Sequence, residues 1–169
     1  MGLRERLIAT ALAEIEENGS GAVSLRGFAR KAGVSEAAPY RHFASKGELL
    51  GAVAAEGFRM IRKELEPLLA SPAPTKADTF AVFRAFADGH AILYDLMHRL
   101  DPGESTPVTD HLVEALAAFE VLVGIVARTL PIGDQKEAAR TAFAWWSEFH
   151  GHVIISRAGL LPPELQGVV

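Results

Sequence analysis

The sequence predicts an all-α chain, with three short helices, a long connecting helix and a C-terminal helical bundle. Three observations predict it. Apolar residues recur at helical spacing throughout. No stretch sustains the apolar/polar alternation and β-branched enrichment of a strand. Capping residues and Gly or Pro breaks punctuate the pattern at intervals suited to helices.

The elements follow in order. Leu7, Ile8, Ala11, Leu12 and Ile15 make one face of a helix over residues 3–18, ended by the Asn18-Gly19-Ser20-Gly21 run. Ser24 caps a second helix, about 25–32, which Gly33 stops. Ser35 caps a third, about 36–42, and Pro39 falls in its first turn, where a missing N–H costs little. Ser45 and Glu48 form a capping box that opens a long helix, about 46–69. Ser71-Pro72-Ala73-Pro74 is the clearest break, and Thr75 with Asp78 opens the next helix. Gly89 and His90 separate that helix from a short one, about 91–99. Thr106 and Pro107 suit the N-cap and first position of a helix reaching about Leu130. Pro131-Ile132-Gly133 breaks it, and Asp134 with Glu137 caps the last helix, about 135–157.

Composition narrows the function. The 169 residues include no cysteine, which excludes disulfides, a thiol nucleophile and a cysteine zinc site, and suits a reducing cytoplasm. The N-terminus carries Glu14, Glu16 and Glu17 and does not read as a signal peptide. Glu114, Glu120 and Arg128 interrupt the most apolar stretch, Leu112 to Leu130, so a buried helix is expected there and no membrane span. The net charge is −4, yet Ser24–Lys46 holds five bases (Arg26, Arg30, Lys31, Arg41, Lys46) against one acid, Glu36. A basic patch on an acidic body is the footprint of a protein that meets one localised polyanion.

That same segment reads SLRGFARKAGVSEAAPYRHFASKGELL. The Phe28-Ala29 pair, Ala32-Gly33-Val34-Ser35, Tyr40, His42-Phe43, Lys46 and Leu49-Leu50 stand at the spacing of a TetR-family DNA-binding domain, which residues 3–55 resemble. The physics of the segment agrees. Gly33 permits a tight turn between two steeply crossing helices, and Phe28, Ala29, Ala32, Val34 and Phe43 supply a small core. The resemblance implies that the third helix enters the major groove. It implies DNA contacts from Ser24, Arg26, Ser35, Glu36, Ala37, Ala38, Tyr40, Arg41, His42 and Lys46, with Tyr40, His42 and Lys46 on phosphate. Where family members often carry Gly-Thr, this chain has Ala37-Ala38, so a threonine hydroxyl contact is missing and alanine offers only a methyl.

In the C-terminal half, Trp146-Ser147-Glu148-Phe149-His150-Gly151 resembles a subgroup marked by Trp-x-x-x-His-Gly. On the helix from Leu112 to Leu130, polar residues occupy an arc of roughly 120°, and the last helix is apolar on two sides. Helices apolar around most of their circumference bury more than one face, which points to a homodimer. Leu112, Leu116, Ala138, Ala142, Trp145 and Phe149 are the expected interface. Phe80, Phe83, Phe86, Tyr94, Phe119 and Trp146 are candidates to line an apolar pocket, with His90, His98 and His150 as polar partners. Trp146 and His150, one turn apart, are the expected anchor for an effector, and Phe83, Phe86, Tyr94, Phe119, Trp146 and His150 are the expected lining of its site. Glu148 and His152 have metal-ligand spacing, but no second pair supports a metal and no cofactor is expected.

The expected architecture is therefore all-α: a helix-turn-helix DNA-binding domain over 1–47 and a ligand-sensing, dimerising domain over 48–169. The expected function is a cytoplasmic transcriptional regulator, a homodimer on double-stranded operator DNA, released by a mostly apolar small molecule that the sequence does not identify. The alternatives are a DNA-binding dimer without an effector and a helical-bundle enzyme. For the latter the chain offers no nucleophile–base pattern or phosphate loop.

Overall fold

A computed structural model describes residues 2–19, 24–98, 110–130 and 134–165. Among them are seven α-helices: α1 Leu3–Asn18, α2 Leu25–Lys31, α3 Lys46–Ala70, α4 Lys76–Gly89, α5 Ala91–His98, α6 Asp110–Ala127 and α7 Gln135–Arg157, with 3-10 turns at Pro39–Arg41 and Pro163–Leu165. No described residue is in a strand. No helix is long and apolar enough to cross a membrane among the described residues. The expected N-terminal signals at Thr106 and Pro107 lie outside the described residues, as does the break at 131–133.

Local chemistry sets the boundaries. The Ser24 hydroxyl accepts from the Gly27 N–H at 3.1 Å and caps α2. That helix ends in a Schellman pair, Val34 N–H to the Ala29 carbonyl and Gly33 N–H to the Arg30 carbonyl, with Gly33 at φ +68°. A side chain there would be strained, so the glycine fixes the turn. Thr75 and Asp78 cap α4 reciprocally, each backbone N–H bonded to the other's side chain at 3.0–3.1 Å. These bonds to the Asp78 carboxylate lower its pKa, the Thr75 hydroxyl first. At α3 the box is only half made: Ser45 accepts from Glu48 N–H, but the Glu48 carboxylate takes the Ala44 N–H at 2.5 Å.

The third element differs from the expected helix over 36–42. Ala38 N–H bonds to the Ser35 carbonyl and Arg41 N–H to that of Ala38, both three residues back, and a 3-10 turn spans Pro39–Arg41. Pro39 has no N–H for the four-residue bond to Ser35, so the segment winds tighter over a few residues.

Long α3 is the spine. It buries Leu49, Leu50, Val53, Phe58, Ile61 and Leu65. Its first turns close the N-terminal core of Leu7, Ala11, Ile15, Phe28 and Phe43; its later turns meet α5 and α6. Gly57 is where α5 comes closest: a Cβ there would lie 2.6 Å from Met97 Sδ. Arg59 and Arg62 on α3 pair with Glu114 of α6 at 2.9 and 3.5 Å. Arg4 of α1 pairs with Asp110 of α6 at 2.6 Å, and Glu16 of α1 with His90, between α4 and α5, at 2.5 Å. N-terminal and C-terminal parts are thus tied through α1 as well as through α3.

Candidate nucleic-acid interface and apolar pocket

The basic segment folds into one exposed surface at the N-terminal end of α3. Ser24, Arg26, Ser35, Glu36, Ala37, Tyr40, Arg41 and Lys46 are exposed, while Ala38 and His42 are half-buried. Tyr40, half of whose surface is open, is the conspicuous member, because an aromatic ring that size is normally covered. Its neighbours on either side, Pro39 and Phe43, hold the turn to the core: both are buried, and the Arg4 guanidinium lies 5.4 Å from the Phe43 ring centre.

The five bases are not equivalent. Lys31 is engaged by Glu14 of α1. Arg26 sits 3.9 Å from Glu36, a fully solvated pair worth little. Arg30, Arg41 and Lys46 are exposed with no partner among the described residues. Lys46 is the first residue of α3, so its charge stands beside the unbonded N–H groups of that helix's first turn. Positive side chains without internal partners, around an exposed tyrosine, suit a polyanion that neutralises them.

A second site lies in the C-terminal part. A cavity of about 300 Å³ is enclosed by α3 (Phe58, Ile61), α4 (Phe83), α5 (Tyr94, Met97, His98), α6 (Leu112, Leu116, Phe119) and α7 (Phe143, Trp146). Its walls are almost wholly apolar, and no Lys, Arg, Asp or Glu among the described residues lines it. A larger hollow of about 710 Å³ lies between α6 and the start of α7, but Glu120, Asp134 and Gln135 line it and it lacks the aromatic enclosure. We therefore regard the smaller cavity as the candidate ligand site.

The structure sorts the expected pocket residues. Phe83, Tyr94, Phe119 and Trp146 line the cavity. Phe86 does not: fully buried, it packs on the His90 ring at 5.0 Å. His150 does not either, because it stands behind Tyr94, whose hydroxyl is hydrogen-bonded to its Nδ1 at 3.1 Å. Phe80 packs on Phe149 and His152. Burial raises the Tyr94 phenol to about 12, so it stays protonated, and burial lowers the His150 pKa. Phe58, Ile61 and Met97 were missed. Each lies on an apolar helical face, and sequence spacing gives no sign of which apolar faces surround a void.

The expected dimer residues need correction too. Ala138, Ala142 and Phe149 are buried inside the protomer, the alanines against Leu122 and Val126 of α6, Phe149 against Phe80 and Phe83 of α4. A second copy cannot cover what the first already covers. Trp145 is half-buried, with its ring 6.4 Å from that of Phe149. Leu112 and Leu116 remain about half exposed, together with Val113 and Phe143. Glu148 pairs with Lys76 of α4 at 2.5 Å, and His152 packs edge-on to Phe80; no metal-binding cluster of three ligands occurs among the described residues.

Comparison with known proteins matches both parts of the chain. Residues 7–53 match the family described as bacterial regulatory proteins, tetR family, and residues 76–167 match the tetracyclin repressor-like C-terminal domain. An uncharacterized HTH-type transcriptional regulator of Mycobacterium tuberculosis is 28% identical over 171 residues, covering 95% of this chain and 85% of that protein. A protein of unknown function from Rhodococcus sp. RHA1 superposes with a TM-score of 0.74 at 30% identity, covering 95% of this chain and 86% of the other. The fold is also that of SmeT in its complex with triclosan, at a TM-score of 0.57 and 23% identity over 92% of this chain and 82% of that one; SmeT is the repressor of a Stenotrophomonas maltophilia multidrug efflux pump. With a basic helix-turn-helix head, an aromatic cavity in the body and matches over both parts, this chain belongs to the TetR family of DNA-binding transcriptional regulators.

Proposed function

We propose that the chain is a homodimeric repressor that leaves its operator when a mostly apolar small molecule fills the α3–α7 cavity. The head is residues 1–47 and the sensing and dimerising body residues 48–169. The cavity is the observation that carries the ligand half of this reading: about 300 Å³ of aromatic-lined space next to the helix that also bears Lys46. SmeT, a repressor of the same fold crystallised with triclosan, supports it by analogy. Leu112, Val113, Leu116 and Phe143, each about half exposed, are the face we assign to the second copy.

In the head, Tyr40, His42 and Lys46 are assigned to phosphates; Ser24, Arg26, Ser35, Glu36, Ala37, Ala38 and Arg41 to positions from which base edges or backbone are reached. Lys46→Ala should weaken binding to every DNA sequence about equally and reduce the salt slope by roughly one unit. Tyr40→Phe should weaken binding less than Tyr40→Ala, since it removes the hydroxyl alone. Titrations at several salt concentrations check both. Unchanged affinity and slope would take Lys46 out of the interface.

The switch runs through α3, whose 25 residues span about 38 Å. An effector in the cavity displaces the later turns, tilts the start and changes the separation of the two heads. The effector must bind the DNA-incompetent form more tightly, and operator must then weaken effector binding by the same factor. Effector titrations with and without operator test this. Equal affinities would refute the coupling even with a ligand bound.

A further inference from the structure

The cavity wall is apolar apart from the heteroatoms of Tyr94, His98 and Trp146 among its polar side chains. The Tyr94 hydroxyl is committed to His150. The His98 Nδ1 lies 2.8 Å from the Tyr94 carbonyl, which can only accept, so this nitrogen carries the proton. In the neutral ring Nε2 is then a bare acceptor. It has no protein partner among the described residues, it is not among the atoms sealed from solvent without a partner, and His98 lines the cavity.

The ring sits among aromatic neighbours: tilted against Tyr94 at 4.5 Å and His150 at 4.3 Å, and edge-on to Phe58 at 5.8 Å. Burial lowers its pKa to about 4, which keeps it neutral at physiological pH; the neighbouring His150 and His111 push the same way, while the bond to the Tyr94 carbonyl and the charge of Asp95 oppose this. Arg157, whose guanidinium lies 5.2 Å from the Tyr94 ring centre, is held by Asp95 at 3.0 Å.

We propose that His98 Nε2 selects the effector, which is a neutral and mostly apolar molecule that donates one O–H or N–H to this nitrogen. The inference rests on the cavity being the effector site. It replaces His150, which does not line the cavity and whose Nδ1 is already hydrogen-bonded to the Tyr94 hydroxyl, as the anchor. The Trp146 indole nitrogen, a donor with no partner among the described residues, is also on the wall, its ring 6.3 Å from that of His98. A hydroxyl can answer both groups, an ether only the tryptophan. A carboxylate would find no cation among the described residues of the wall, and a charge buried unpaired is disfavoured.

The experiment titrates the full-length protein with 2-naphthol, 2-methoxynaphthalene and 2-naphthoate at neutral pH. Wild type should prefer 2-naphthol to both others by about tenfold or more, the usual consequence of leaving a buried acceptor unmatched. His98→Phe keeps a ring of similar size and should bind naphthol and its methyl ether equally. Independently of that variant's folding, the Nε2 resonance of 15N-labelled His98 in wild type should move upfield with 2-naphthol and stay put with the ether. Equal binding of the two by wild type, a preference that survives in His98→Phe, or tighter binding of naphthoate would overturn the assignment of His98 while leaving the cavity a ligand site. Failure of all three probes to bind would remove the cavity as a ligand site and this proposal with it.

Discussion

Replacing Ala142 by glutamate should strongly destabilise the protomer and lower its melting temperature. Ala142 is completely buried where α7 meets Leu122 and Val126 of α6. A carboxylate there would have neither solvent nor a cation, and an uncompensated buried charge costs about 3–5 kcal/mol. Set against a total stability of about 5–15 kcal/mol, that is a large fraction. Phe143→Glu, one residue along, should behave differently. Phe143 is 57% exposed, so the charge stays in water in the free protomer and is buried only if a second copy docks. The helical circular-dichroism signal and melting temperature should hold, and the sedimenting species should shift to monomer. Two results would contradict this. Ala142→Glu melting with wild type would mean that α6 and α7 do not pack as described. A Phe143→Glu protein that still sediments as a dimer would mean that the interface lies elsewhere.

Phe43→Ala should disable the head more severely than loss of any one phosphate contact. The ring is 1% exposed, lies between the Tyr40 turn and the start of α3, and carries Arg4 over its face. Truncating a buried phenylalanine costs about 3–5 kcal/mol, through lost burial and the cavity left behind. The exposed residues on either side, Tyr40 and Lys46, owe their relative position to this ring. DNA affinity should therefore fall further than in Lys46→Ala, for every sequence, alongside a lower urea midpoint. An unchanged midpoint would show that Phe43 is not part of the head's core.

The caps at Ser24, Thr75 and Asp134 were legible because a cap is a local bargain among three or four consecutive residues. The Gly33 turn was legible for the same reason: its positive φ is demanded by adjacent residues. The third element departs from the expected α-helix because in so short a segment the one donor that Pro39 lacks decides the winding. The α7 faces were misjudged differently. A helical wheel reveals that two sides are apolar, but not which one a neighbour in the same chain has already taken. Ala142 and Phe143 are adjacent, yet one is sealed and the other open. The pocket anchor lay at the same limit. Sequence spacing favours His150, one turn from Trp146, over His98, and only tertiary packing, which puts the Tyr94 hydroxyl on His150, points to the other ring.

Selection of duplexes from a random pool by the full-length protein at low salt tests the central claim most directly. The account predicts enrichment of a two-fold symmetric site whose half-sites lie one helical turn apart or a multiple of it, roughly 34–36 Å per turn. The enriched site should bind wild type more tightly than an unselected duplex at the same salt. Failure to enrich any sequence, or enrichment of a single asymmetric half-site bound one protomer at a time, would contradict it.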